Sequence, residues 1–250
     1  MQILNQEAVK TQKFTNPVYV GDPINIIRIL NDKGAQEILV TDIGSTLTKE
    51  IDFDFLENLA SETQIPFGYG GGINENTEIS KLTKLGVERF YFSTLLSENP
   101  QHIKMLVNAL GSSSVGVSLD LKEMNGTWKV YFLGGKNPSN LEALDCAERA
   151  MNFGVGEIVF RMIELDGVSS EENFQLIKKL SEYISRNPEL MKLQLLYSCG
   201  VYNEALIDFV RDQTIFDGVI LGSNICFAGS YENQDVLITY PQSYSVKGQL

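Results

Sequence analysis

The chain is short of several things at once. Of its 250 residues only His102 is histidine, which excludes a histidine-rich metal centre. Cys146, Cys199 and Cys226 are widely spaced and form no CxxC pair, so neither a disulfide framework nor a zinc clamp is expected. Positive charge is scarce: 20 Lys and Arg stand against 32 Asp and Glu, a net charge of −12 at pH 7. Nucleic acids and anionic membrane surfaces call for a basic face, so neither is expected as a partner. No apolar run approaches the roughly 20 residues of a membrane span. The opening MQILNQEAVKTQKF lacks the charged-then-apolar order of a signal peptide. No linker or low-complexity tract divides the chain. These absences point to one domain over residues 1–250 in a reduced, cytoplasmic setting, with no cofactor and no metal called for.

What is present is an ordinary globular balance, 43% hydrophobic with 21 glycines. Short apolar runs alternate with amphipathic ones. ILVTDI (38–43), IPFGYGGG (65–72), RFYFST (89–94), SVGVSLDL (114–121), EIVFRMI (157–163), LQLLYSCG (193–200) and FDGVILGS (216–223) read as seven strands. Helices are expected over 52–63, 78–86, 99–111, 140–154, 170–186 and from 203 to about 210. Asn99 and Pro100 suit a helix start, and Gly86 and Gly154 suit helix ends. Continuously apolar strands fit a parallel sheet buried on both faces, either a closed (β/α)8 barrel or an open doubly wound sheet.

An internal repeat decides for the barrel. KGAQEILVTDI (33–43) resembles FGVGEIVFRMI (153–163); the glycine turn at Gly72 recurs at Gly200, and Ser93-Thr94 recurs as Gly222-Ser223. The open alternative also lacks a GxGxxG after its first strand. The expectation is an α/β TIM barrel of two similar half-barrels, about 1–112 and 113–230, with an off-pattern tail over 231–250. Its first stave is the weak point. Only Met1 to Leu4 precede a possible hairpin through 7–14, fewer residues than a usual strand, so the first strand reads as truncated.

In such barrels the chemistry sits at the C-terminal strand ends. Those ends carry Asp42, Gly70-Gly71-Gly72, Ser93-Thr94, Asp120, Asp166-Gly167, Ser198-Cys199-Gly200 and Gly222-Ser223. Any one glycine here is explained by a tight turn. Glycine turns at three strand ends together suggest backbone amides gathered around a phosphate. Asp120, ending a fully apolar strand, is the candidate acid–base residue, and Asp42 is a second, against the plainer alternative that each caps a helix. At the opposite strand ends Glu37, Arg89 and Glu157 stand on alternate staves. Taken alone they read as surface charges at loop–strand junctions.

These residues fall in a recognisable order. GDPINIIRILNDKGAQEILVTDI, IPFGYGGGI, GVERFYFSTLLSENP, VGVSLDLK, GVGEIVF, LDG and SCG, spread from about residue 7 to 227, resemble the cyclase subunit of imidazole glycerol phosphate synthase. That family's fold is a barrel of two similar halves. A glutaminase partner docks on its N-terminal face and releases ammonia into the barrel. The ammonia reacts at the C-terminal face with a substrate phosphorylated at both ends. The resemblance implies that Asp120 is one of two acid–base aspartates. It implies one phosphate site at Gly72, Ser93 and Thr94 and another at Gly167, Gly200, Gly222 and Ser223. Lys10 matches a lysine of a mobile first loop. Glu37, Arg89 and Glu157 match three of four charges gating ammonia entry, which turns the surface-charge reading of the ring into a channel reading; the fourth would lie upstream of Met1. Gln2 occupies the position of the first catalytic aspartate, and an amide cannot exchange a proton near neutral pH. Arg161 and Met162 replace small polar residues of the family. Gln2, YVGDPIN and TQKFTNP resemble a divergent branch that delivers ammonia to a nucleotide-linked acetamido sugar, forming an amidine in surface-polysaccharide synthesis. A non-catalytic barrel that only binds a phosphorylated ligand is the remaining alternative.

Overall fold

A computed structural model describes residues 1–226 and Ile238. The tail expected over 231–250 otherwise lies outside the described residues. Among the described residues are twelve strands: β1 (Gln2–Leu4), β2 (Glu7–Gln12), β3 (Thr15–Gly21), β4 (Ile38–Asp42), β5 (Phe67–Gly70), β6 (Arg89–Phe92), β7 (Val115–Met124), β8 (Thr127–Phe132), β9 (Asn137–Glu142), β10 (Glu157–Met162), β11 (Gln194–Ser198) and β12 (Gly218–Ile220). Eight of them, in the order β1-β4-β5-β6-β7-β10-β11-β12, pair in parallel with helices between them. This is the (β/α)8 barrel. The first and last staves are the short ones, three residues each, and on β1 Gln2 and Ile3 alone register on β4, against Thr41 and Asp42. Among the described residues β12 and β1 share no ladder. Lys10 bridges that seam, its Nζ 2.5 Å from where a Cβ on Gly222 would lie.

Alternation along each strand explains the apolar runs. Val40, Tyr69, Phe90, Phe92, Val117, Leu119, Ile158, Phe160, Leu195 and Tyr197 are buried between sheet and helices. Their neighbours in sequence point into the barrel. Helix starts follow side-chain caps: Asp22, Asp52, Asn99 and Asn203 each accept a hydrogen bond from the backbone N–H three residues on. Helix Pro100–Leu110 begins where Asn99 and Pro100 place it.

Three features depart from the expectations. The helix expected from residue 140 begins at Ala143, because residues up to Glu142 form β9. The strand over 114–121 runs on to Met124 and turns back through Asn125-Gly126, both at positive φ, into β8. Asn-Gly is the usual centre of such a hairpin, and β8 and β9 form an antiparallel flap on the mouth of the barrel. The third is the hairpin over 7–14, which extends to Gly21 as the antiparallel pair β2–β3.

Candidate active site at the barrel mouth

The C-terminal strand ends enclose a cavity of about 490 Å³. It collects Gln2, Lys10, Gly72, Ser93, Thr94, Asp120, Gly167, Gly200, Gly222 and Ser223, ten residues that come from seven of the eight staves and the segments after them. Such a mouth is the usual ligand site of this architecture. Three polar atoms aimed into this space are fully buried without a hydrogen-bond partner: Ser93 Oγ, Ser118 Oγ and Asp120 Oδ1. Buried polar groups are nearly always satisfied, so orphans gathered at one cavity mark where a ligand's polar atoms belong.

Asp120 is the acid–base candidate of the mouth. Burial pushes its carboxyl above the ordinary aspartate range; Arg161 pulls it back and Asp166 pushes it further up. Arg161 Nη1 stands 3.4 Å from Asp120 Oδ1, an ion pair without hydrogen-bond geometry. The register explains the meeting, since Arg161 and Asp120 are direct partners across β10 and β7. The guanidinium also lies over the Phe14 ring, 4.6 Å from its centroid, an arrangement that fixes its orientation.

Gln2 is buried beside this pair and engaged elsewhere. Its Nε2 donates to Thr11 Oγ1 at 3.2 Å, and its Oε1 accepts from the Thr11 backbone N–H at 3.2 Å. Thr11 Oγ1 donates in turn to Asp166 Oδ2 at 2.5 Å, which also accepts from the Phe14 N–H at 3.1 Å. The Lys13 N–H adds a bond to the Asp166 main-chain oxygen at 2.8 Å. This chain of bonds docks the β2–β3 hairpin against the end of β10, over the mouth. Lys10, expected in a loop, is on β2 and buried. It faces Gly222, and among the described residues no ion-pair partner is found for it.

The glycine turns close tightly. Gly72 has φ +69°, and a Cβ there would lie 2.7 Å from the Ser45 carbonyl oxygen, so no other residue fits without moving the backbone. Gly200 is held by Asn173, whose Nδ2 donates to the main-chain oxygens of Val168 at 2.9 Å and Gly200 at 2.8 Å. One fully buried amide thus ties the turns after β10 and β11 together. Cys199, a non-glycine residue at φ 86°, sits between them under backbone strain. Its thiol is pushed up to about 12, mainly by burial, with Asp166 adding to the effect. It is no thiolate nucleophile at neutral pH. Thr94 Oγ1 accepts from the Leu133 N–H at 3.3 Å, which pins the start of the flap to this rim.

Asp42 does not join the site. Its Oδ1 accepts from the Ser45 N–H at 2.8 Å and its Oδ2 from the Ser45 hydroxyl at 2.7 Å. It caps the helix Ile43–Thr48 and does not line the cavity. The acid–base role expected for it is replaced by a capping role, because a strand-end carboxylate directly before a helix satisfies the first free N–H groups.

The three charges at the opposite strand ends do meet. Arg89 Nη1 lies 2.6 Å from Glu37 Oε2 and 3.5 Å from Glu157 Oε2. Burial pushes both carboxyls above their ordinary range while Arg89 pulls them back. Sequence reasoning did not single out Tyr91, Thr11, Ser118 or Asn173. The alternation that puts Asp120 inside also puts Ser118 there, and the alternation that puts Arg89 inside also puts Tyr91 there. Nothing local marks Thr11 or Asn173.

An eight-stave barrel with a cavity at the C-terminal strand ends, buried carboxylates in it and a charged ring at the other end defines the class of protein. The chain matches the family model described as histidine biosynthesis protein over residues 1–232, and it belongs to that family. A Leptospira interrogans protein named "Putative imidazole glycerol phosphate synthase subunit HisF" is 33% identical over 93% of this chain and 89% of its own length. A Vibrio vulnificus protein with the same name, as hisF3, is 31% identical over 97% and 91%. A Flavobacterium psychrophilum protein named imidazole glycerol phosphate synthase subunit HisF is 31% identical over 74% of each chain. Among the described residues no helix is long and apolar enough to cross a membrane, and no group of three or more His, Cys, Asp or Glu is arranged to hold a metal ion.

Proposed function

We propose that this chain is the ammonia-using synthase subunit of a two-part amidotransferase. A glutaminase docks on the N-terminal face, ammonia travels up the barrel, and a phosphorylated acceptor is held in the mouth. The observation that carries the reading is the common axis: the Glu37–Arg89–Glu157 ring at one end, the cavity with Asp120 at the other. Membership of the family and relatives named as imidazole glycerol phosphate synthase subunits support it.

In the mouth the acceptor's phosphates meet the backbone amides of the turns at Gly72 and Gly200, with Ser93, Thr94, Gly167, Gly222 and Ser223 around them. Lys10 supplies a cation at the second of these sites. Asp120 takes the proton that ammonia loses as its nitrogen bonds to the acceptor carbon, and returns it to the leaving oxygen or nitrogen. A raised pKa suits a carboxyl that must both accept and return a proton.

The mouth also carries a specific argument about the acceptor. Gln2 holds the position of a second aspartate, with its amide spent on Thr11, and Arg161 brings a fixed cation beside Asp120. Both favour a nucleotide-linked acetamido sugar, converted to an amidine, over the histidine precursor. Purified protein with ammonium salts is expected not to cyclise the histidine precursor efficiently; turnover like that of an ordinary cyclase overturns this choice of acceptor. Asp120→Asn in a complementation assay tests catalysis itself. An unchanged phenotype would mean a barrel that only binds its ligand.

A further inference from the structure

One side chain, Tyr91, both lines the mouth cavity and bonds to the charged ring. Tyr91 follows Arg89 by two residues on β6, so it enters the barrel interior one layer higher. Its ring lies across the interior against glycines of both neighbouring staves. A Cβ on Gly68 would stand 2.9 Å from Tyr91 Cε2, one on Gly116 2.8 Å from Cδ1, and one on Gly70 3.1 Å from the tyrosine's own Cβ. Inward positions of such barrels are ordinarily filled by branched side chains from several strands. Here three of them are bare, and one phenol ring takes the space.

The two faces of that ring look onto different compartments. On the lower side, the Cβ position of Gly68 is 3.5 Å from Glu37 Oε1. On the upper side, Tyr91 lines the mouth cavity with Leu39, Ser118 and Val159, whereas Glu37, Arg89 and Glu157 do not. The Tyr91 hydroxyl donates to Glu157 Oε1 at 2.5 Å. The other oxygen of that carboxylate stands 3.5 Å from Arg89, which Glu37 holds at 2.6 Å. Arg89 is therefore shared unequally between two carboxylates, and the less favoured one latches the tyrosine.

We propose that Tyr91 is the partition of the barrel's axial passage, latched shut on Glu157 and opened when Glu157 turns from the phenol to Arg89. The passage suits a small neutral molecule such as ammonia. Above the ring it meets the unpartnered Ser118 hydroxyl, and below it the ion-paired charges with the unpartnered Glu37 Oε1. Arg89 and Glu37 are only half-buried, so a partner on the N-terminal face that engages Glu37 frees Arg89 for Glu157 and releases the phenol. The role as an ammonia gate rests on the two-subunit reading above; the partition itself does not.

The test is a set of crystal structures of the full chain under pressurised krypton, with Tyr91→Ala and Glu37→Ala beside the wild type. The wild type is expected to show no krypton or ordered water between Glu157 and Ser118. Tyr91→Ala opens room for a file of waters at ~30 Å³ each, so continuous solvent or krypton is expected there. Should that variant fail to fold, Tyr91→Leu is the substitute and leaves a partial file. Glu37→Ala is expected to bring Arg89 within 3 Å of Glu157 and to show the Tyr91 ring in a second rotamer. A continuous file past the closed ring in the wild type overturns the partition, as does an empty interior in Tyr91→Ala. A Tyr91 ring still latched in Glu37→Ala, with Arg89 paired to Glu157, overturns the latch. No glutaminase is needed for any of these. If all come out as expected and no glutaminase binds the N-terminal face, the partition stands and the ammonia reading falls.

Discussion

Replacing Asp166 with alanine measures how firmly the hairpin is held over the mouth. Asp166 is 3% exposed, and its Oδ2 accepts from Thr11 Oγ1 at 2.5 Å and from the Phe14 N–H at 3.1 Å. A hydrogen bond to a charged acceptor contributes about 1.5–3 kcal/mol. Alanine removes two of them, leaving the buried Thr11 hydroxyl only the longer contact to Gln2 Oε1 at 3.4 Å and a part-buried amide short of an acceptor. Against this stands the relief of burying one carboxylate, and the bond from Lys13 to the residue 166 main-chain oxygen survives. The net loss is about 2–4 kcal/mol. Asp166→Asn keeps an acceptor oxygen without the charge and loses about 1 kcal/mol. Urea unfolding gives the stabilities; hydrogen exchange of residues 7–21 gives the location, and these amides exchange faster in the alanine variant while the barrel amides do not. An alanine variant within 0.5 kcal/mol of wild type, or protection lost evenly over the barrel, refutes the idea that this carboxylate docks the hairpin.

Gly72→Ala forces a Cβ to within 2.7 Å of a backbone oxygen at φ +69°; a loss of about 2–4 kcal/mol is expected by thermal unfolding, together with weaker retention on a phosphate-ester column. Asn173→Ala leaves the Val168 and Gly200 oxygens without their donor; the expected cost is about 2–3 kcal/mol, seen as a lower urea midpoint with an unchanged slope. Asp120 yields a pH dependence. Its native pKa is raised, so the folded state holds the proton more tightly than the unfolded one, whose value is about 3.9. Stability from this group is complete below that value and is lost as pH rises through the native value. The stability of wild type relative to Asp120→Asn must therefore fall with rising pH across that window; a flat or rising difference refutes the buried-acid picture.

The staves were legible because each is a short apolar run closed by a glycine or small polar residue, and the alternation of inward and outward side chains follows from strand geometry alone. ILVTDI and EIVFRMI became β4 and β10 nearly to the residue. The β8–β9 flap was missed although Asn125-Gly126 is a strong hairpin signal. Its second strand, NPSNLE, is mostly exposed or half-buried and polar, so no periodicity betrays it. Asp42 illustrates a limit of another kind. A carboxylate at a strand end serves a ligand or the next helix equally well, and only the position of Ser45 decides. Gln2, Lys10 and Asp166 could be placed near the mouth from the strand order. The connection of Gln2 to Asp166 through Thr11 could not, because it joins residues far apart in the chain.

The charge inventory of the mouth bears on what chemistry it suits. Around the cavity stand four cations, Lys10, Lys49, Lys136 and Arg161, and two buried carboxylates, Asp120 and Asp166. Asp166 is committed to the hairpin, and Gln2 can move no proton. Of the two buried carboxylates, Asp120 is then the one left to transfer a proton. Ring closure through ammonia, with cleavage of the substrate, needs protons moved at two separated centres, and two carboxylates serve that best. Addition of ammonia to a single electrophilic carbon followed by loss of water needs them moved at one, and a single carboxyl suffices to take the proton and return it. Arg161 fits the same picture. It sits beside Asp120 with its plane braced by Phe14, and under the proposed function that place suits it to steady both the carboxylate and the negative charge on the acceptor oxygen as ammonia adds. Under the proposed function, the Gln2 amide and the fixed Arg161 cation belong together, in a mouth suited to addition at one carbon.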